Sequence, residues 1–246
     1  MTDTPADDLK PSFRSDVTVE LVKHTASDAD VLFAARVSTL GEQSLDELQK
    51  DPERSKGLIN YLMRDRHGSP FEHNSMTFFV SAPIFVFREF MRHRVGWSYN
   101  EESGRYRELQ PVFYVPDAER KLVQEGRPGK YRFVEGTAGQ QKLVGRAMED
   151  SYRQSYEAYQ EMLAAGVARE VARSVLPVGL YSSMYATCNA RSLMHFLGLR
   201  TQHELAKVPS FPQREIEMVG EKMEAEWARL MPLTYAAFNA NGRVAP

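Results

Sequence analysis

The pattern of apolar and polar positions along the chain predicts long helices and a few short strands. Apolar or aromatic residues at steps of three and four over residues 137–165 are typical of an amphipathic helix of many turns, with Gly166 as its C-terminal stop. A charged amphipathic helix is expected over 215–230. Three further stretches predict strands, at residues 16–23, 76–80 and 180–187.

Residues that commonly cap helices mark further helix starts. Residues 27–30 offer capping side chains ahead of the apolar stretch 31–37, and Asn189 can cap a helix that continues through Leu199. Ser69, Pro70 and Glu72 have the spacing of a capping box, with Ser69 as the N-cap. Two more helices are predicted at residues 52–66 and 83–92.

Long helices combined with few, separated strands favour an α+β fold. We expect a single domain over residues 15–240, in which a small, mostly antiparallel sheet is flanked by long helices. Residues 1–14 are polar and contain two prolines, which predicts a disordered tail. The sequence contains no internal repeat, no low-complexity tract and no linker rich in glycine and serine.

Composition excludes several classes of protein. The 246 residues carry a net charge of −2, without the basic excess of a dedicated nucleic-acid binder. The single cysteine, Cys188, excludes an intrachain disulfide, and the histidines show no standard metal-ligand spacing, so we expect no metal. The chain lacks a signal-peptide pattern and any apolar run of about 18 residues. We therefore expect a cytoplasmic protein that binds neither membranes nor nucleic acids.

Chemically active side chains are densest between Arg88 and Arg107, where five arginines alternate with carboxylates and aromatic rings. Three interpretations compete: a solvated charge run, a platform for single-stranded nucleic acid, and a pocket for a phosphorylated small ligand. The carboxylates in the segment disfavour a nucleic-acid backbone, whereas arginine suits phosphate oxygens. Residues 96–100 are expected to form a loop whose amides and hydroxyls are available to a ligand.

The string Arg92-His93-Arg94, followed by eight residues and then Ser103, resembles the signature of the flavin-dependent thymidylate synthases. Further stretches resemble landmarks of that family in the family's order, at residues 34–38, 69–73, 82–86, 169–173 and 189–194. The resemblance covers about residues 16–230. Because the signature is long and unusual, chance is a poor explanation for it.

The resemblance implies a reductive methylation of dUMP to dTMP, a step in dTTP biosynthesis. Methylenetetrahydrofolate would donate the carbon and leave as tetrahydrofolate, FADH₂ would donate the hydride, and NADPH would reduce the flavin. The family is tetrameric, so the resemblance also implies a homotetramer whose active sites are shared between subunits.

The resemblance also assigns roles to individual residues. Arg200 matches the catalytic arginine that activates the pyrimidine ring, and His67 matches a histidine near the flavin. FAD contacts are implied at Ser69, Arg92, His93, Arg94, Glu101, Asn189, Ala190, Arg191 and His195. Contacts to dUMP are implied at Glu89, Phe90, Met91, Arg92, Glu101, Glu102, Ser103, Gly104, Arg105, Arg173 and Arg200.

Helix geometry adds an independent expectation for Arg191, His195 and Arg200. At about 100° per residue, Arg191 and His195 share one face, and Arg200, nine residues after Arg191, lies near the opposite side. We therefore expect one helix to present two ligand-facing edges. The lone Cys188 is expected to be a buried, inert thiol, and Ser103 a hydrogen-bonding group, so ring activation would be electrostatic rather than covalent.

Some features depart from the family pattern. The eight residues between Arg94 and Ser103 stand where many members have seven, and Glu89 stands where some members have glutamine. No glycine-rich dinucleotide fingerprint occurs, so FAD would not be held as in a Rossmann fold. Two rival functions share the basic and aromatic features: a nucleotide- or RNA-binding module without turnover, and a flavoprotein that methylates uracil within RNA.

Overall fold

The computed structural model describes residues 10–41, 52–127 and 130–246, and these residues form an α+β fold. The strands are β1 (Ser12–Arg14), β2 (Thr18–His24), β3 (Met76–Pro83), β4 (Trp97–Glu101), β5 (Val112–Tyr114), β6 (Val123–Arg127), β7 (Lys130–Val134) and β8 (Tyr181–Cys188). The helices are α1 (Asp28–Leu40), α2 (Pro52–Arg64), α3 (Ile84–Phe90), α4 (Ala138–Ala164), α5 (Arg169–Ala172), α6 (Ala190–Arg200), α7 (Arg214–Leu230) and α8 (Pro232–Ala240). Two 3₁₀ turns lie at Ser69–Glu72 and Arg173–Val175.

The strands of the described residues form three small sheets where the sequence predicts one. Strands β2, β3, β8 and β4 form a four-stranded sheet in the order β2-β3-β8-β4. Strands β1 and β5 pair in parallel, and β6 and β7 form an antiparallel hairpin. The α+β class is therefore confirmed, and the β structure is more divided than expected.

Several helix starts confirm the expected capping chemistry. The Ser27 hydroxyl accepts a hydrogen bond from the Asp30 amide, and the Asp30 carboxylate accepts one from the Ser27 amide, so α1 begins with a capping box. Thr137 and Gln140 make the same reciprocal pair at the start of α4, a cap that was not predicted. Gly166 follows α4 with a φ of 81°, which is the left-handed conformation expected of a helix stop.

Two compact units divide the chain, and each is built from separate segments. The first unit comprises the described residues within 1–16, 81–88 and 101–183. The core of this unit is built around buried tyrosines of α4. They pack against residues in and just before β5, in α5 and just before β8. The buried members are Leu109, Phe113, Tyr152, Tyr156, Tyr159, Ala172 and Leu180. Phe113 stacks on Tyr152 at 4.9 Å between ring centroids.

The second unit comprises the described residues within 17–80, 89–100 and 184–246. Within it, α7 packs against β2, α6 and α8, and α6 also packs against the 3₁₀ turn at Ser69–Glu72. Large side chains fill its interior, among them Met63, Phe71, Phe90, Phe196, Trp227 and Phe238. The apolar face of α7 supports α6, which together with its N-cap Asn189 carries four of the nine predicted flavin contacts.

Three local predictions are wrong. Ser69 is not an N-cap: Gly68 precedes the 3₁₀ turn, no side chain caps it, and the Glu72 carboxylate binds Arg191 instead. Residues 97–100 are strand rather than loop, because half-buried Trp97 and Tyr99 alternate with exposed neighbours. The predicted tail also fails at Ser12–Arg14, which pair with β5; residues 1–9 lie outside the described residues.

Other boundaries shift by a few residues. Helix α2 ends at Arg64 rather than 66, and α3 runs from Ile84 to Phe90, so Arg92 lies beyond its last turn. No helix among the described residues is long and apolar enough to cross a membrane.

Candidate active site

The predicted site residues fall into two groups, one in each unit. The second unit contains Ser69, Glu89, Phe90, Met91, Arg92, His93, Arg94, Asn189, Ala190, Arg191, His195 and Arg200, called here the helix group because most contact α6 or its neighbours. The first unit contains Glu101, Glu102, Ser103, Gly104, Arg105 and Arg173, called here the loop group.

The turn after α3 carries the signature residues and is fixed by backbone contacts. The His93 amide donates to the Phe90 carbonyl at 2.9 Å. The Tyr99 hydroxyl lies 3.0 Å from the Phe90 carbonyl oxygen and 2.9 Å from that of His93, to which it donates. Strand β4 therefore holds the signature turn in place. Phe90 itself is fully buried, and its carbonyl oxygen is occupied by these hydrogen bonds.

Gly96 lets this turn lie directly against the start of α6. The Ser192 hydroxyl donates to the Val95 carbonyl at 2.9 Å, and Gly96 has a φ of 70°. A Cβ atom at Gly96 would lie 2.1 Å from the Ser192 Oγ, closer than atoms can approach. Both its conformation and its surroundings therefore require glycine.

Helix α6 begins with the expected cap. The Asn189 Oδ1 accepts from the Ser192 amide at 2.9 Å, which confirms the predicted N-cap. The Ala190 amide donates to the Asn74 Oδ1 at 2.8 Å, and Ala190 is fully buried. Two side chains thus satisfy the helix start, and the Asn189 Nδ2 remains as a donor.

His93 is a neutral ring in an aromatic environment. Its ring lies 4.9 Å from that of Phe196, and its Nε2 accepts a hydrogen bond of 3.1 Å from the Arg200 Nε. Burial, followed by the positive charges of Arg200 and His195, lowers the pKa of His93 to about 4. Because Nε2 is the acceptor, the single ring proton lies on Nδ1.

Arg200 closes α6 and is held by two partners. Its Nη1 donates to the Glu89 carboxylate and its Nη2 to the Glu89 carbonyl at 3.3 Å. The two side chains are only 20% and 24% exposed. Burial raises the pKa of Glu89, Arg200 opposes that shift, and Glu215 adds to it. The sequence shows no sign of this pairing, and it places a half-buried, oriented guanidinium at the helix end.

The other edge of α6 carries Arg191 and His195. Arg191 contacts the Glu72 carboxylate and a main-chain oxygen of Pro246, partners that Arg200 does not share. The pKa of His195 is lowered by burial and then by the charge of Arg191. The prediction that one helix presents two edges is consistent with these separate neighbourhoods.

Two signature arginines have no such partners. Arg92 and Arg94 are exposed, and neither side chain forms an ion pair within residues 10–41, 52–127 and 130–246. Met91 is also exposed. Ser69 and His67 are exposed on the segment that precedes and enters the 3₁₀ turn. Free guanidinium groups of this kind are suited to an anionic ligand.

The loop group is organised by hydrogen bonds to the start of β8. The Glu102 amide donates to the Ser183 carbonyl at 2.8 Å, and the Ser183 hydroxyl donates to the Glu102 carboxylate at 3.3 Å. Desolvation raises the pKa of neighbouring Glu101, while a hydrogen bond from Ser182 and the charge of Arg173 oppose the shift. Ser103 accepts at its carbonyl from the Tyr106 amide at 3.1 Å, so its segment is a tight turn.

Arg105 and Arg173 supply the positive charge of the loop group. The Arg105 Nε donates to the Glu170 carboxylate at 3.1 Å, with both side chains more than half exposed. Gly104 is buried, and a Cβ atom there would lie 2.9 Å from Leu109 and 3.2 Å from Arg173. The close approach of Arg173 to the Gly104 backbone keeps the two predicted dUMP contacts together.

Cys188 closes β8 and is buried, as expected. Burial raises the pKa of its thiol, so the nucleophilic thiolate is suppressed. Several residues that support the site were not predicted from the sequence: Glu72, Tyr99, Glu170, Ser192 and Pro246. Glu72, Glu170 and Ser192 lie in landmark stretches of the family, but those stretches gave no indication of their partners.

Comparison with known proteins places the chain among enzymes of one kind. The family described as "Thymidylate synthase complementing protein" matches residues 20–233. The flavin-dependent thymidylate synthase of Streptomyces avermitilis is 91% identical over 246 residues, covering 100% of both chains. That of Tropheryma whipplei is 58% identical over 240 residues, covering 97% of this chain and 98% of the relative.

Solved structures agree with this similarity. The crystal structure of a UMP/dUMP methylase, PolB from Streptomyces cacaoi, bound with 5-Br dUMP, has a TM-score of 0.89 and 59% identity. It covers 95% of this chain and 99% of that chain. The same methylase bound with 5-Br UMP has a TM-score of 0.87 and 57% identity, covering 96% and 100% of the two chains. The match to the family over residues 20–233, together with full-length relatives, shows that the chain belongs to the flavin-dependent thymidylate synthase family.

Proposed function

We propose that this flavin-dependent thymidylate synthase forms dTMP from dUMP by electrostatic activation of the uracil ring at Arg200. Methylenetetrahydrofolate supplies the carbon and leaves as tetrahydrofolate, the ring loses the proton of carbon 5, and NADPH restores the reduced flavin. The product is the precursor of dTTP. The main support for this proposal is the Arg200 guanidinium, which is half-buried and is held in place by Glu89 and by the neutral ring of His93.

The donor set of the helix group fits FAD. Arg92 and Arg94 are exposed and unpaired within the described residues, so they can bind the pyrophosphate oxygens. His93 is neutral at pH 7, because its pKa is about 4, and a neutral ring is compatible with an uncharged isoalloxazine. Ser69, Asn189, Ala190, Arg191, His195 and Glu101 would complete the flavin contacts. When bound, reduced FAD supplies the hydride that completes the methyl group.

The loop group suits the nucleotide. Arg105 and Arg173 would bind the phosphate of dUMP, and the tight turn at Ser103 and Gly104 would offer a hydroxyl and backbone amides. Glu101 and Glu102 accept hydrogen bonds in the same segment. Glu89, Phe90, Met91 and Arg92 are the remaining proposed dUMP contacts.

Arg200 would stabilise the negative charge that develops on the pyrimidine as carbon 5 attacks the one-carbon unit. Its partners keep the guanidinium oriented before substrate binds, so little reorganisation is needed at the moment of reaction. His93 helps to orient Arg200, and because its ring is neutral it adds no second positive charge. Cys188 takes no part, because its thiol is buried and its pKa is raised.

We also propose a homotetramer with shared active sites, as the family resemblance implies. Exposed apolar side chains beside the helix group support an interface there: Val95 is 88% exposed and Leu199 61% exposed. Light scattering coupled to size-exclusion chromatography is expected to give a mass of four chains. A monodisperse monomer that is active would contradict this assembly.

UMP is a second candidate substrate. The related UMP/dUMP methylase from Streptomyces cacaoi, 57% identical to this chain, was solved with 5-Br UMP. Comparing kcat/KM for UMP and dUMP in the same assay decides which nucleotide this chain prefers. We expect dUMP to be the better substrate, and equal or greater kcat/KM for UMP would overturn that choice.

The deciding test measures flavin binding and turnover separately. Purified protein should show bound-flavin absorbance, and it should release tritium from 5-labelled dUMP only when methylenetetrahydrofolate and NADPH are both present. Cys188→Ala should keep its activity, whereas a cysteine-dependent route requires its loss. Colourless protein that also fails to take up added FAD, or release without folate, would refute the proposed reaction. Turnover on RNA but not on dUMP would instead support a methylase of RNA uracil.

A further inference from the structure

The segment Arg243–Pro246 contacts two separate parts of the proposed flavin site. One is the segment at residues 66–72, which carries His67 and Ser69, and the other is α6 at Arg191. These contacts are made by main-chain oxygens of the segment, so they depend on its path rather than on its side chains.

Arg243 anchors the segment to the second unit. Its side chain is 1% exposed and forms an ion pair with Glu224, with the Nη2 nitrogen 2.8 Å from the Glu224 Oε2. Further hydrogen bonds join it to the Asn239 Oδ1 at 2.8 Å and the Thr201 Oγ1 at 3.1 Å. A buried guanidinium with this many acceptors fixes where the following residues begin.

Arg66 donates hydrogen bonds to the main chain of the next two residues. Its Nη1 donates to the Val244 main-chain oxygen at 2.6 Å and to that of Ala245 at 3.2 Å. Arg66 has a φ of 64°, an uncommon conformation for a residue other than glycine. The segment thereby restrains the turn immediately before His67 and Ser69.

Arg191 donates the last hydrogen bond to the segment. Its Nε donates to the Pro246 main-chain oxygen at 2.6 Å, and its Nη1 to the Glu72 carboxylate. The guanidinium lies against the backbone of Gly68, where a Cβ atom would be 2.5 Å from the Arg191 Cζ. Its Nη2 makes no hydrogen bond to the described residues, so that nitrogen is available to a ligand while the rest is held.

We infer that Arg243–Pro246 is a positioning segment for FAD, which sets the Arg191 guanidinium and the segment at 66–72 before the cofactor binds. This inference rests on the proposed function, because it takes Arg191 and Ser69 as flavin contacts. Ordering a long arginine side chain costs affinity when it occurs on binding, and a preset side chain avoids that cost. None of the residues in the segment needs to touch FAD.

Two variants disturb the positioning by different routes. Ending the chain after Arg243 removes all three main-chain acceptors and keeps the anchor. Arg66→Met removes only the donor to Val244 and Ala245, and Arg66→Lys restores a charged donor. Arg64→Met is the matched control, since Arg64 pairs with neighbouring Asp65 at the surface. The measurements are FAD affinity by flavin fluorescence, melting of the FAD-free protein, and initial rate against FAD concentration.

The shortened chain should bind FAD roughly tenfold more weakly, and Arg66→Met several-fold more weakly, through lost preorganisation. Saturating FAD should return both rates to within about twofold of the parent, because the segment acts on cofactor binding alone. Arg66→Lys should recover part of the affinity, and Arg64→Met should bind FAD as the parent does.

Other results would overturn the inference. Unchanged or tighter FAD binding by both variants would mean that the segment does not preset the site. A rate that saturating FAD fails to restore, with a lowered melting temperature in both variants, would indicate a general structural role. If the parent protein and Arg64→Met bind no FAD, the proposed function itself fails, and the inference fails with it.

Discussion

Arg200 in the helix group and Arg105 in the loop group differ in how firmly their charges are held. In the helix group, Arg200 is 20% exposed and donates to both Glu89 and His93. In the loop group, the Arg105 and Glu170 side chains are 52% and 56% exposed and share a single ion pair. Exposed pairs of this kind contribute little to stability and exchange partners easily.

This difference indicates how one enzyme can separate two tasks, stabilising a transition state and capturing a phosphate. A charge that must stabilise a transition state has to be oriented in advance, in surroundings that screen it weakly. A charge that only has to capture a phosphate can remain mobile and gain its partner on binding. We therefore expect changes at Arg200 to alter the chemical step, and changes at Arg105 to alter substrate affinity.

The largest effect is expected from Arg200→Ala. Removing one preorganised donor at a developing negative charge costs about 10²–10³ in kcat. Flavin content should largely remain, because Arg191 lies on the other edge of α6. Measuring both quantities on one preparation tests the assignment, with Arg200→Lys as a partial replacement that keeps the charge but loses the forked geometry. Parallel loss of flavin and turnover would contradict two separate edges.

Arg105→Ala should mainly weaken dUMP binding. Losing a charge-assisted hydrogen bond to phosphate costs about 1.5–3 kcal/mol, which corresponds to roughly 10–100-fold in KM. The value of kcat and the melting temperature should change little, since the ion pair with Glu170 is exposed. Glu170→Gln serves as the matched control, because it breaks the same ion pair but leaves the guanidinium. A fall in kcat like that of Arg200→Ala would erase the distinction between the groups.

Gly96→Ala tests whether the helix group is as rigid as its contacts imply. A positive φ in a residue other than glycine costs on the order of 1–3 kcal/mol. The added Cβ also meets the Ser192 Oγ, so the melting temperature should fall by several degrees. Gly166→Ala is the control: its φ is 81° but nothing lies within 4 Å of the added atom. Equal melting temperatures for the two variants would show that the Ser192 contact is unimportant.

The smallest effect is expected in the pH dependence of stability, through the protonation of His93. Because folding lowers the pKa of His93 from 6.5 to about 4, the unfolded chain takes up this proton first as the pH falls. The stabilising contribution of the neutral ring is present above pH 6.5 and is lost between pH 6.5 and about 4. His93→Gln should therefore lose less stability than the parent over this range.

Melting curves of the parent and His93→Gln from pH 7.5 to 4.5 measure this difference. The raised pKa of Glu89 acts with the opposite sign, since its stability contribution is lost as the pH rises through the folded pKa. Both proteins share Glu89, so the difference between the curves isolates His93. Parallel curves would mean that His93 is not held neutral by folding.

Local chemistry was predictable from the sequence at several positions where the partners are close in the chain, but the capping box predicted at Ser69 and Glu72 does not form. Ser27 with Asp30, Thr137 with Gln140, and Asn189 with Ser192 are each three residues apart, and all three caps form. The alternation of Trp97 and Tyr99 with polar neighbours would have predicted β4, but the surrounding glycine, serine and asparagine favoured a loop interpretation.

The partners of the site arginines were not predictable in this way. Glu89 and Arg200 are 111 residues apart, and Glu72 and Arg191 are 119 apart. Such pairs are fixed by the packing of whole elements, here the turn after α3 and the 3₁₀ turn against α6, and no local spacing reports them. The resemblance to the family named the arginines but gave no indication of the carboxylates that orient them.

The buried position of Cys188 has a consequence for chemical attack on the enzyme. Iodoacetamide, peroxide and other thiol reagents meet no accessible thiolate, because the chain has one cysteine and its sulfur is enclosed at the end of β8. Dicarbonyl reagents that modify guanidinium groups meet exposed Arg92 and Arg94 instead. Inactivators of this enzyme should therefore be sought among arginine-directed electrophiles rather than among thiol reagents.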